Sequence, residues 1–315
     1  MTKALKDYSH IGFIYSLLVL ITTFTKYILD LLINNNIIIN DINSIQLIGN
    51  IIVYVLNFIL LVPLMYIPNK KIENIDKKKT KFTEILKYFL ISYFLMICSN
   101  IIGISLTTII SFIKGSAVIN PLIEVTNNLN ILTTFILGVV LAPIVEELLF
   151  RKFIIDKVHI HGKWTAIFIS GLMFGLFHAN LNQFVYAFVL GIFLAYIYVK
   201  KGNIKVCILL HLLINSIGFI MSVIIKFIDI DNLINMELST INLFPIIILL
   251  ITELLVFIIF IVGLVLFILN YKKIKNDLLN YSTNNSITIT KATTTLGMIL
   301  FIVIFVITII NQLLI

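Results

Sequence analysis

The sequence predicts an all-α fold: a polytopic membrane helical bundle of about eight to nine transmembrane helices with its N-terminus in the cytoplasm. Three observations carry this. Hydrophobic residues make up 60% of the 315 and charged residues only 12%, where a soluble chain of this size needs about a quarter of its residues charged. Apolar runs long enough to cross a hydrocarbon core of ~30 Å, which takes ~20 helical residues, recur along the whole chain. The basic residues alternate between successive loops. The net charge of +8 therefore marks loops held in the cytoplasm and not a nucleic-acid surface, which would need a soluble basic face.

The spans fall near 11–33, 45–67, 85–113, 130–150, 164–180, 183–199, 204–225, 241–270 and 295–315. The eighth is long enough to tilt or to extend beyond the bilayer. Asn-rich pieces (Asn34 to Asn43, Asn280 to Asn285) read as loops. With the N-terminus inside, twenty of the 23 Lys and Arg residues lie in cytoplasmic loops. Lys114 and Lys226 lie outside, and Lys26 lies within the first span. Cys98 and Cys207 both sit in apolar stretches, which excludes a disulfide framework. No cleavable signal peptide is expected, because the first apolar run is too long and lacks a small-residue cleavage site.

Ionisable groups within spans cost a few kcal/mol or more, so each needs a reason. Lys26 and Asp30 are four residues apart on one helical face and should neutralise one another. Glu253 is alone in its span and is expected to face a neighbouring helix or a water-filled cleft. His159 and His161 flank a cytoplasmic turn and read as a solvated loop, not a metal site, and His10 reads the same way.

A further set is concentrated in the middle of the chain. Glu146, Glu147 and Arg151 occupy the inner part of one span, Phe174 and His178 the next, and His211 and Asn215 a third. Glu147 and Arg151 are four apart and should pair. Glu146, turned ~100° away, has no partner on its own helix and is suited to accept a proton. Arg151 is the sole arginine; every other basic residue is Lys. That exception points to a site that needs the fork geometry of a guanidinium. As mere helix glue the set would be expensive, since Ser, Thr or Gly would serve.

These residues resemble the CPBP family of integral-membrane proteases, which includes the type II CAAX prenyl endopeptidases and the Abi proteins. The family pattern EExxxR, FxxxH, HxxxN stands here as Glu146-Glu147-x3-Arg151, Phe174-x3-His178 and His211-x3-Asn215. Lys152 departs from the Gly that many relatives carry after the motif arginine. The resemblance covers roughly 138–218 and divides the chain into N-terminal transmembrane helices (1–125), a CPBP/Abi-like catalytic core (126–225) and C-terminal transmembrane helices (226–315).

The resemblance implies hydrolysis of a peptide bond in a membrane-associated peptide or protein, within a cavity opening toward the cytosolic side of a prokaryotic plasma membrane. It implies that Glu146 with His178 activates water, that His211 with Asn215 stabilises the oxyanion, and that Glu147, Arg151 and Phe174 order the site. Two His and a Glu could ligate zinc with one open position, although the H-E-x-x-H pair of zincins is absent. The reading favoured on the residues is a metal-independent glutamate mechanism. Other readings are a non-catalytic bacteriocin-immunity or scaffolding relative, and a proton-coupled transporter, for which no internal repeat is evident.

One geometric tension accompanies this assignment. At ~1.5 Å per residue, His211 lies ~9 Å past Lys205 but His178 lies ~22 Å past Lys163. The helix before His178 must therefore tilt or begin in the cytosol if the two histidines are to meet.

Overall fold

The computed structural model describes residues 2–34, 48–49, 51–52, 55, 75–121, 129–228, 242–282 and 286–314, and no strand occurs among them. The span expected at 45–67 falls almost entirely outside the described residues, as do the side chains of Lys26 and Asp30. The long helices are α1 (Lys3–Asn34), α2 (Phe82–Lys114) and α3 (Ile131–His161). They continue with α4 (Lys163–Phe177), α5 (Leu181–Lys201), α6 (Ile204–Lys226) and α7 (Leu243–Tyr281), then the short α8 (Ile289–Thr293) and α9 (Leu296–Leu314). Seven are long and apolar enough to cross a membrane, all but α4 and α8. The protein is a multi-pass, all-α membrane bundle.

The expected span at 164–180 is corrected by α4. It has 15 residues, ~22 Å of helix, which is too short to cross the bilayer. It is apolar because other helices enclose it: Ala166, Ile167, Ile169 and Met173 are all fully buried. Contact with α5 is made backbone to backbone through small residues. A Cβ on Gly171 would lie 2.8 Å from the Ile192 nitrogen, and one on Gly191 would lie 3.0 Å from the Gly171 Cα. A tight turn joins the two helices, with Ala179 at φ 56. Asn180 holds that turn by accepting from Gln183 N at 2.9 Å and donating to the His178 carbonyl at 2.8 Å, which is N-cap chemistry.

Two hydrophobic clusters flank this hairpin. One joins α1, α3, α4 and α9 through residues such as Tyr15, Phe150, Met173 and Phe301. The other joins α2, α5 and α6 through Ile91, Leu194, Tyr198 and Leu210, with α7 packed against it. α1 and α9 cross at Gly12 and Gly297, where a Cβ on Gly12 would lie 2.2 Å from the Gly297 carbonyl carbon.

The lysine-rich end of the bundle is an ion-paired layer. Lys200 meets Asp277 at 2.6 Å, Lys201 meets Glu84 at 2.8 Å, and Lys152 pairs with Asp156, which also accepts from Tyr198. His161 belongs to this layer. Instead of lying in a solvated loop, its Nε2 contacts buried Asp7 at 2.8 Å, a partner 154 residues away. Glu253 is exposed and has no ion pair among the described residues, so the neighbour expected for it is not found there.

The depth tension is eased at this end by about one helical turn. Lys163 lies over the Tyr281 ring, 5.6 Å from its centroid, whereas Lys200 meets Asp277 one turn earlier on α7. α4 therefore begins beyond the level at which α5 ends.

Candidate active site

α3 carries the acidic pair and is irregular on both sides of it. Wider π turns at Phe135–Leu141 and Leu148–Ile155 flank an α segment Ala142–Glu147, and such turns often occur at functional sites. Pro143 has no N–H to give. In the first π turn Ala142 N–H bonds to the Leu137 carbonyl, so the next acceptor, Gly138 O, would look to residue 143 and find proline. Asn215 from α6 supplies the missing donor, with Nδ2 at 2.9 Å from Gly138 O. This is how membrane helices tolerate an internal proline.

The two adjacent glutamates face different surroundings. The Glu147 carboxylate is wholly buried between Arg151, whose Nε is at 3.1 Å, and His211, whose Nδ1 is at 2.9 Å. The Glu146 side chain is 21% exposed, lines a cavity, and has Oε2 3.7 Å from His211 Nε2. A carboxylate can only accept, so Nδ1 of His211 carries the proton toward Glu147 and Nε2 faces Glu146. His178 is fixed in the same manner by Nδ1 against the Phe174 carbonyl at 2.9 Å, which leaves its Nε2 for the cavity.

Phe174 organises the set. Its ring meets His178 edge-on at 4.9 Å and His211 at 5.8 Å between centroids. Arg151 lies over the ring, Cζ 4.3 Å from the centroid, and is fully buried. Here the expectation drawn from guanidinium geometry is corrected: the fork does not clasp a carboxylate with two nitrogens. Only Nε is paired with Glu147 and both Nη groups lack a hydrogen bond among the described residues. What lysine could not reproduce is the flat cation stacked on Phe174.

The structure thus brings together all seven residues singled out in the sequence: Glu146, Glu147, Arg151, Phe174, His178, His211 and Asn215. It adds Gln183 and Tyr186, joined at 2.9 Å, with the Tyr186 ring 6.4 Å from that of His178. Gln183 and Tyr186 are three residues apart, a polar pair at helical spacing that would have betrayed one cavity-facing side of α5. The cavity has a volume of about 510 Å³. From Glu146 it follows the N-terminal half of α3, including Thr134, and the C-terminal half of α6, including Ser222. Both run toward the lysine-poor end. The resemblance implied an opening at the other end; toward the lysines, Leu149, Phe150, Arg151, Ile154 and Ile155 of α3 are buried.

Donor positions bear on a metal. Among the described residues no group of three or more His, Cys, Asp or Glu side chains could hold one. Glu147 is committed to Arg151 and His211, and the His178 Nδ1 to a carbonyl. The Glu147 carboxylate and the His178 Nδ1 are therefore not available as zinc ligands.

A family profile described as type II CAAX prenyl endopeptidase Rce1-like matches residues 128–217, the segment just described. Over that segment the chain is similar to the type II CAAX prenyl endopeptidases. A Bacillus subtilis (strain 168) protein named "Putative membrane peptidase YdiL" is 32% identical over 90 residues, 27% of this chain and 36% of that protein. The match thus spans little more than a third of that relative's length. No solved structure matches the chain.

Proposed function

We propose that the protein is an intramembrane endopeptidase in which Glu146 is the general base. The observation that carries this reading is the different treatment of two neighbouring carboxylates: one sealed in an ion pair, the other open to a cavity between two oriented imidazoles. Glu146 takes a proton from water as its oxygen attacks the scissile carbonyl carbon. The proton then passes to the leaving amine, and a carboxylic acid and an amine result.

His178, with Nδ1 tied to the Phe174 carbonyl, presents Nε2 as an acceptor that helps to orient the water. His211, in its doubly protonated form, donates Nε2–H to the developing oxyanion, with Glu147 as counter-charge. Asn215 gives one amide N–H to Gly138 and keeps the second for the same oxyanion. Donors placed in this way in a water-poor site are worth a few kcal/mol each. No step is routed through a metal. The substrate is a peptide or protein reached in the plasma membrane of a prokaryotic cell.

The test is cleavage of a membrane-peptide library by purified wild type and Glu146→Gln, with and without a chelator. The expected result is loss of cleavage by about 10²–10⁴-fold in the variant and no effect of the chelator. Normal turnover by Glu146→Gln would sink the assignment, and chelator sensitivity would replace the glutamate mechanism with a metal-dependent one.

A further inference from the structure

Where α2, α5 and α7 meet at the lysine-rich end, the protein carries more cations than it neutralises. Lys201 of α5 pairs with Glu84 of α2, and Lys200 of α5 pairs with Asp277 of α7. Both carboxylates are thereby used. Lys201 reaches both oxygens of Glu84, at 2.8 and 2.9 Å, and Asp277 Oδ2 also accepts from Tyr196 at 2.7 Å. Two further ammonium groups stand in the same corner, Lys87 on α2 and Lys273 on α7. Neither forms an ion pair among the described residues. Among its charged neighbours Lys273 acts most strongly on Lys87, ahead of Glu84, and Lys200 and Lys201 add to the repulsion. Four lysines therefore share two carboxylates.

The excess is held in place by the packing around it. Toward the membrane interior α2 and α7 are locked together: a Cβ on Gly263 would lie 2.3 Å from the Leu90 carbonyl oxygen. The Phe94 ring meets those of Phe260 and Phe267, at 5.3 and 5.6 Å between centroids. Lys87 is half-buried, with Nζ 5.5 Å from the centroid of the Tyr88 ring.

The level of the corner identifies what it meets. Lys87 is the last charged residue of α2 before Lys114, and on α7 no charge lies between Glu253 and Lys272. Both lysines mark where hydrocarbon gives way to headgroups. The neighbouring surface is apolar and faces outward, with Leu86 46% and Leu269 73% exposed. Tyr271, also exposed, is the kind of side chain that sits at such a boundary. A free anion arriving from water would gain the cations and nothing from those side chains. A phospholipid brings a phosphate for the first and acyl chains for the second.

We propose that this corner binds the phosphate of an anionic phospholipid of the cytoplasmic leaflet between Lys87 and Lys273. A zwitterionic headgroup would carry its own cation into a corner that already has two in excess, so the site selects headgroups of net negative charge. This lipid site stands apart from the acidic pair and does not rest on the endopeptidase reading.

Native mass spectrometry tests it by counting the lipids retained after the purified protein is exchanged through micelles holding equal amounts of phosphatidylglycerol and phosphatidylcholine. The wild type should retain phosphatidylglycerol in preference. Each lysine near a membrane surface contributes about a factor of five toward anionic lipid, so Lys87→Gln, Lys273→Gln should lower the preference by roughly 30-fold. Lys87→Arg, Lys273→Arg should keep most of it. Lys77→Gln, Lys79→Gln removes as much charge from exposed positions at the same end and should keep it too. No preference in the wild type, or equal loss in the two Gln pairs, overturns the site. Displacement of phosphatidylglycerol by glycerol 3-phosphate would make the ligand a soluble phosphate and overturn the lipid assignment.

Thermal midpoints separate binding from folding. In phosphatidylcholine vesicles Lys87→Gln, Lys273→Gln should melt no lower than wild type, because it removes a repulsion and no ion pair. Phosphatidylglycerol should then raise the midpoint of the wild type alone. A lower midpoint of the variant in phosphatidylcholine would make the two lysines part of the fold's support and overturn their assignment to a lipid.

Discussion

The two halves of α3 meet at Glu146 and Glu147 and are built on opposite plans. On the lysine-rich side most of the helix is buried, and its inner charge pair, Glu147 with Arg151, is sealed from solvent. On the other side Gly138 stands in open space, Pro143 interrupts the hydrogen-bond ladder, and Asn215 is borrowed from α6 to mend it. The difference shows how a membrane helix carries two carboxylates in succession. The sealed one must be neutralised, since a lone buried charge is not tolerated. The other keeps its charge chemistry because a cavity brings it water and two imidazoles.

The largest break in that comparison is Glu147→Ala, which leaves Arg151 buried without a counter-ion. A loss of about 3–5 kcal/mol is expected, seen as a lowered thermal midpoint in detergent or failure to accumulate. Glu146→Gln should stay within roughly 0.5 kcal/mol of wild type. Equal destabilisation by the two would erase the distinction between the halves.

Next comes Asn215→Ala, which removes the donor to the Gly138 carbonyl at about 0.5–1.5 kcal/mol. Adding Pro143→Ala restores a backbone N–H at the position that lacks one, so the double variant should recover part of that cost. Strict additivity of the two changes would refute the proposed partnership.

Arg151→Lys keeps the charge but loses the stack on Phe174, at about 1–2 kcal/mol. A wild-type melting curve would show that charge alone suffices on the sealed side. The smallest effect is a gain. Ala179 holds a left-handed conformation at φ 56, which costs a residue with a Cβ about 1–2 kcal/mol, so Ala179→Gly should raise the midpoint. A fall would mean that the Ala179 methyl makes a packing contact worth more than the strain.

Much of this was legible before any coordinates. The i, i+4 spacing of Glu147 and Arg151 and the ~100° rotation of Glu146 placed the two carboxylates in their separate environments. The long spans were legible because hydrocarbon thickness dictates their length. α4 was not, since hydropathy reports an apolar helix equally well whether lipid or protein surrounds it. The His161–Asp7 contact depends on two segments meeting across the whole chain, and no local pattern announces that. The Asn215–Gly138 bond depends on a π register, which shifts the orphaned acceptor by one residue from where an α-helix would leave it.

The crossing of α1 and α9 sets the order in which the protein is completed. Ser9 receives the Gly297 N–H across 288 residues of sequence, and Phe301 of α9 lies against Tyr15, whose hydroxyl bonds to the Leu149 carbonyl on α3. During synthesis α1 must wait with its glycine face uncovered until nearly all of the other helices have been made. The wall behind the acidic pair is finished only then, so a nascent chain carries every group of the site long before it carries the support that aligns them.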